Sequence, residues 1–311
     1  MIYAGQEPLP GYRLIEKLGS GSFGEVWSAT NPDGKKVALK FIDCQGKAGS
    51  AIGHEIRRIQ GVKDLEHPHF IRLQGVCANS PYIIIIMERA DGSLNDLQNA
   101  YQAESGRNIP PDHLLELMEQ AAAALDYLAE VKLPGFTSLD GCVQHCDVKP
   151  SKLLIVGDTL KVGTFGLCSS AKQDSGRHGL RGTPPYAAPE LYEGRITRRT
   201  DQYSLAVTFC ELCIGERAFV KDCNDYTTYK GLPINLTELR DHEFAVLARA
   251  LSERWTDRYP SCREFVAALK QAKRSSRCVL RVPRAARRTS ASTRAAGRAL
   301  RHDAGARHPR E

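Results

Sequence analysis

Val143-Gln144-His145-Cys146-Asp147-Val148-Lys149-Pro150-Ser151-Lys152-Leu153-Leu154 is the stretch on which the reading of this chain turns. An Asp is followed two residues on by Lys-Pro and then by an apolar pair, and a second short segment, Val162-Gly163-Thr164-Phe165-Gly166-Leu167, comes soon after. Upstream, Leu133-Pro134-Gly135-Phe136 through Gly141 reads as the loop that delivers it. Before that loop, a helix starts at Pro110-Pro111-Asp112 with proline in its first turn. Leu114, Leu115, Leu117, Met118, Ala121, Ala122, Leu125 and Leu128 recur along it at helical spacing and make a core stripe.

Further upstream the period changes to that of strands. Residues 11–18 alternate apolar and polar, Gly19-Ser20-Gly21-Ser22-Phe23-Gly24-Glu25-Val26 turns over into a second strand, and Lys36-Val37-Ala38-Leu39-Lys40-Phe41 makes a third after the turn Asn31-Pro32-Asp33-Gly34. A dinucleotide-binding glycine motif would open a helix instead. Glycines in such a loop let backbone N–H groups approach phosphates with no Cβ in the way. After His67-Pro68-His69-Phe70-Ile71-Arg72-Leu73 and the strand Tyr82–Met87, the segment Met87-Glu88-Arg89-Ala90-Asp91-Gly92-Ser93-Leu94 is a short polar turn before helix resumes.

Taken together and in this order, the segments resemble the protein kinase family, most closely bacterial, eukaryotic-like serine/threonine kinases, some of which share the His-Cys-Asp loop. The resemblance covers roughly residues 11–270 and implies an α+β, bilobal fold: a small, mostly antiparallel N-lobe over about 11–87, a hinge at about 88–91 and a mostly helical C-lobe over about 92–270. It implies ATP as the cofactor. Leu18, Gly19, Ser20, Gly21, Ser22, Phe23, Gly24, Glu25 and Val26 would cover the phosphates, and Lys40, held by Glu55, would grip them. Val26 and Ala38 from above and Leu154 from below would sandwich the adenine, with Met87, Glu88 and Ala90 at the hinge. Asp147 would orient the attacking hydroxyl, Lys149 would neutralise the transferring phosphoryl group, and Thr183 would bond both. Ile59, Leu73, His145 and Phe165 would stack between the lobes, Asp201 would open a buried supporting helix, and Arg258 would pair with Glu190 of Ala188-Pro189-Glu190. Cys146 replaces the Arg that reads a phosphorylated activation loop, which argues against that mode of switching.

The resemblance breaks at the metal. Lys152 stands for the family's Asn and Thr164 for the Asp of its Asp-Phe-Gly segment, the two side chains that hold magnesium. Two readings follow: a pseudokinase-like module that binds ATP with magnesium weak or absent, or an active serine/threonine kinase that is slow or uses metal unconventionally. Lys152 also adds an ammonium beside Lys40 and Lys149, where it would neutralise triphosphate charge.

Composition sets the outer limits. With 42% hydrophobic and 25% charged residues, the 311-residue chain has the make-up of an ordinary globular protein. Its longest apolar run, Ile83–Met87, cannot span a bilayer, and no signal pattern opens the chain, so a cytoplasmic protein is expected. The scattered cysteines read as reduced, buried hydrophobes, Cys210-Glu211-Leu212-Cys213 included. The net charge of +7 is misleading, because residues 271–311 hold twelve Lys or Arg against two acids, a balance of +10 that leaves residues 1–270 at −3. Those last residues lack aromatics and any burying period, so they are expected to form a disordered basic tail able to touch nucleic acid or an acidic surface without specificity. The protein substrate or partner is not written in the sequence.

Overall fold

The structure, a computed structural model, describes residues 1–21, 24–45, 65–131, 142–163, 182–218 and 241–280, with Ile56, Ile59, Lys63 and Leu239 between them. Five strands form the first sheet: β1 (Arg13–Gly21), β2 (Gly24–Thr30), β3 (Lys36–Asp43), β4 (Leu73–Asn79) and β5 (Tyr82–Glu88), in the order β1-β2-β3-β5-β4 with every pairing antiparallel. Because side chains alternate across a strand, the sheet has two distinct apolar faces. Trp27, Leu39, Phe41, Ile84 and Ile86 pack with Leu14 on one. Ala38, Ile83, Ile85, Met87 and Leu73 join the main core on the other. Burial on both faces explains why Ile83–Met87 is continuously apolar rather than alternating.

The rest is mostly helical. Strand β6 (Gly92–Ser93) leads into α1 (Leu94–Ser105), whose start is closed by a reciprocal cap: the Ser93 N–H donates to Asp96 at 2.8 Å and the Asp96 N–H donates back to Ser93 Oγ at 3.3 Å. Helix α2 (Pro111–Glu130) buries the whole expected stripe from Leu114 to Leu128. Strands β7 (Leu153–Val156) and β8 (Thr159–Val162) complete a small sheet with β6. There follow the short α3 (Pro189–Tyr192), the buried α4 (Thr200–Ile214), α5 (Asp241–Ala250) and α6 (Cys262–Leu280). The two lobes meet at Phe70, which bridges to Val162 in β8, and the Val162 N–H donates to His69 O at 2.8 Å.

Two boundaries differ from the sequence reading. The expected tail at 271–311 is helical at its start, since α6 runs on to Leu280. Its buried face passes from Leu269 to Lys273, which is only 6% exposed and reaches Asp112 of α2 at 2.6 Å. A lysine burying its stem and pairing its head does the work of an apolar residue here, which is why the apolar period looked finished. At the other end, residues before 11 also pack: the Leu14 N–H donates to Gln6 O at 2.9 Å and Asn79 Nδ2 donates to Pro8 O at 2.6 Å. Residues 281–311 lie outside the described part. Among the described residues, no helix is long and apolar enough to cross a membrane.

Candidate functional site

The upper wall is set by strand register. Val26, Lys40 and Ile85 lie side by side across β2, β3 and β5, and Ala38 pairs with Met87 two positions along, so Val26, Ala38, Lys40 and Met87 share the face turned toward the helical lobe. Lys40 is 4% exposed there. The glycine segment is more regular than its composition implies: β1 carries Leu18, Gly19, Ser20 and Gly21 in strand, all exposed, and Gly21 pairs with Gly24. Ser22 and Phe23 lie outside the described residues. Gly24 has φ +110°, and a Cβ on it would lie 1.8 Å from Phe41 O, so only glycine closes this turn against β3. Glu25 faces sideways and takes hydrogen bonds from Lys17 at 2.7 Å and Trp27 Nε1 at 2.9 Å; the Lys17 bond above all holds its carboxyl below the usual range.

At the hinge, Met87 is buried and Ala90 packs partly against the core. The Glu88 side chain was not anticipated in its second role. Its Oε1 accepts from the Arg72 N–H at 2.7 Å and from Lys161 Nζ of β8 at 2.7 Å, bracing the end of β5 against the C-lobe. A lone lysine on a short strand offers no sequence signal for this contact. Asp91 continues the brace, its N–H donating to Ile155 O and its carboxylate accepting from the Gly157 N–H, both at 2.8 Å. Leu154 sits partly buried on β7, beside Ser93.

Asp147, Lys149 and Thr183 come together at the loop. Thr183 Oγ1 donates to Asp147 Oδ1 at 2.6 Å and accepts from Lys149 Nζ at 2.5 Å, while Lys149 Nζ lies 3.4 Å from the same carboxylate oxygen. The loop hangs from Asp201 of α4, whose two oxygens accept from the His145 and Cys146 N–H groups at 2.6 and 2.7 Å. Burial pushes the Asp201 carboxyl above its ordinary value, opposed by His145 and by these two donors. Cys146 takes φ +57° to present both amides, and a Cβ on Gly182 would stand 2.3 Å from the Cys146 carbonyl oxygen. His145 is fully buried; its Nδ1 accepts from the Asp147 N–H at 3.2 Å and its Nε2 reaches Gly163 O at 3.0 Å. Both bonds together require the neutral ring with its proton on Nε2, a packing and orienting role rather than that of a base.

Below the loop, Arg258 grips Glu190 through two 2.8 Å hydrogen bonds in a fully buried pair. Tyr186 Oη donates to Glu211 at 2.5 Å, and burial, then Glu211, pushes its phenol far above the usual range. Ile59 and Leu73 are buried in the main core, whereas Glu55, Thr164 and Phe165 lie outside the described residues.

Lys152 presents an ammonium beside Asp147 and Lys149, whereas hard divalent ions take oxygen ligands. Among the described residues, no cluster of three or more His, Cys, Asp or Glu could hold a metal ion. Burial lowers the tendency of Lys152 to hold its proton, Asp147 opposes that and Lys149 adds to it, so the three charged groups share one environment. None of Cys44, Cys77, Cys142, Cys146, Cys210, Cys213 and Cys262 is in a disulfide, and burial raises Cys210 strongly.

Comparison with known proteins agrees with this geometry. A family model described as protein kinase domain matches residues 12–285. CBL-interacting protein kinase 4 of Oryza sativa subsp. japonica is 35% identical over 224 residues, covering 68% of this chain and 46% of that protein. Human serine/threonine-protein kinase ULK3 is 27% identical over 275 residues, covering 85% of this chain and 55% of its own length. The chain thus spans about half the length of these relatives. The kinase domain of PknI from Mycobacterium tuberculosis superposes with a TM-score of 0.66 at 25% identity, covering 88% of this chain and all of that one. With the lobes, the suspended Asp147 loop and these matches in hand, the chain belongs to the protein kinase family and carries a domain of its serine/threonine type.

Proposed function

We propose that the domain binds ATP between its lobes and transfers phosphoryl groups poorly or not at all, acting as a pseudokinase-like module toward a protein partner. The observation that carries this reading is the placement of Lys152: its carbonyl oxygen accepts from the Gly163 N–H at 2.6 Å, immediately before Thr164. Lys152 thus abuts the residue that precedes Thr164 in sequence, and on this reading replacing both side chains removes the oxygen ligands that bring metal to the β- and γ-phosphates. Support for nucleotide comes from Lys40 buried on the cleft face with Val26 and Ala38, and from the close approach at Gly24.

One observation favours the second reading, a slow but active serine/threonine kinase: Asp147, Thr183 and Lys149 are already hydrogen-bonded as a unit. Transfer of labelled γ-phosphate from ATP to a generic protein substrate, in magnesium and in manganese, separates the two. Robust, metal-dependent turnover by the unaltered chain would defeat the first reading. Nucleotide-induced thermal stabilisation without turnover supports it.

A further inference from the structure

Resting on the reading of this cleft as an ATP site, we infer that the Lys152 ammonium takes the place of the divalent cation, so that the domain binds a nucleoside triphosphate without metal. The backbone around Lys152 is rigidly held. It ends the 3-10 turn Pro150–Lys152, its N–H donates to Lys149 O at 2.9 Å, its carbonyl accepts from Gly163, and the next residue, Leu153, is fully buried. A side chain on such a support cannot swing away with its backbone. Its ammonium is only partly exposed and lies within electrostatic reach of both Asp147 and Lys149. Among the described residues, nothing hydrogen-bonds it or pairs with it within 4.0 Å.

Burial costs the ammonium hydration that nearby Asp147 offsets only in part, with Lys149 adding to the cost, and an arriving polyanion would relieve it. Lys40 on the upper wall and Lys149 and Lys152 on the lower are three cationic side chains to meet a triphosphate, with Asp147 the acid beside the lower two. An ammonium reproduces one of the two services of the metal. It neutralises phosphate charge, but as a compact point charge on a flexible stem it imposes no coordination geometry on the γ-phosphate. Binding survives the exchange and in-line positioning does not. Magnesium in solution then competes with the lysine for the same phosphate oxygens instead of completing the site.

The test is isothermal titration calorimetry of the full chain with ATP, in EDTA and in magnesium, with adenosine as a separate probe of the adenine slot. ATP is expected to bind in EDTA at least as tightly as in magnesium. Lys152→Met should weaken ATP binding in EDTA by about tenfold, the loss of one charge-assisted contact, while adenosine binding stays unchanged. Lys152→Arg should retain ATP binding in EDTA, and thermal unfolding of each variant shows that it is folded. ATP binding that strictly requires magnesium, or a Lys152→Met chain with undiminished affinity in EDTA, overturns the inference while leaving the ATP site standing. Failure of both ATP and adenosine to bind in either buffer removes the ATP reading and this inference with it.

Discussion

Lys152 and Gly163 are joined backbone to backbone at 2.6 Å, which ties the end of the catalytic loop to the strand end that precedes Thr164. A change at one of these positions is felt at the other. Restoring metal ligation therefore needs both side chains: Lys152→Asn with Thr164→Asp should raise magnesium-dependent phosphoryl transfer by on the order of 10²-fold or more, and each change alone far less. A labelled-phosphate assay on the three variants decides it; no gain from the pair would place the defect elsewhere.

The Arg258–Glu190 pair is fully buried, and Thr200 Oγ1 adds a third hydrogen bond to the carboxylate at 2.9 Å. Removing one partner strands a charge. Arg258→Ala should cost about 3–5 kcal/mol in urea unfolding, whereas replacing both partners with apolar residues of similar volume should cost much less. An Arg258→Ala loss below about 1 kcal/mol would show the pair to be dispensable.

His67 stacks on Tyr127 of α2, ring centroids 5.0 Å apart, and its Nδ1 accepts from the His69 N–H at 3.2 Å. Burial first, then His69 and Arg263, lowers its pKa from 6.5, so the native state binds its proton less readily than the unfolded chain does. Stability from this group is full above 6.5 and is lost as pH falls through the lowered native value. His67→Phe, which keeps the stack, should flatten the urea midpoint against pH below 6.5. An unchanged slope would clear His67 of this role.

Lys161 braces Glu88 at the hinge from a partly buried position. Lys161→Met should weaken adenosine binding severalfold while the melting temperature moves by only a few degrees, as for a loss of about 1 kcal/mol or less. Calorimetry beside thermal unfolding would show whether the two effects separate; equal losses in both would make the brace merely structural.

Helix α6 is held on α2 beyond residue 270 by Lys273 and Asp112, and at residue 270 by Lys270 and Glu119. A chain ended after Leu280 should melt at a higher temperature than one ended after Lys270. Equal melting temperatures would mean the last turns of α6 contribute nothing.

Several residues of the cleft can be picked out from the sequence. Asp147, Lys149 and Thr183 are far apart in sequence terms only at Thr183, and their identities at motif spacings suffice to name them because the loop chemistry tolerates few substitutes. The stripe Leu114–Leu128 was equally plain, since a helix packed on one face must repeat its apolar residues at that period. Legibility failed where a polar residue took an apolar task. Lys273 hid the end of α6, and Lys161 with Glu88 hid the hinge brace, because a charge looks solvated until its partner is known.

By itself, the order of residues determined that this is a two-lobed kinase-type chain and that Lys152 and Thr164 stand where metal ligands are expected, since both conclusions need only side-chain identity and spacing. Tertiary structure alone decided that Lys152 abuts Gly163, that Asp201 suspends the His145–Cys146 amides, and that Asp126 of α2 closes the start of α6 by accepting from the Cys262 and Arg263 N–H groups at 2.8 and 2.9 Å. The Lys152–Gly163 bond extends the β7–β8 hairpin, whereas the other two join segments distant along the chain, and such a bond is set by where two groups come to rest in space, which no local pattern of residues records.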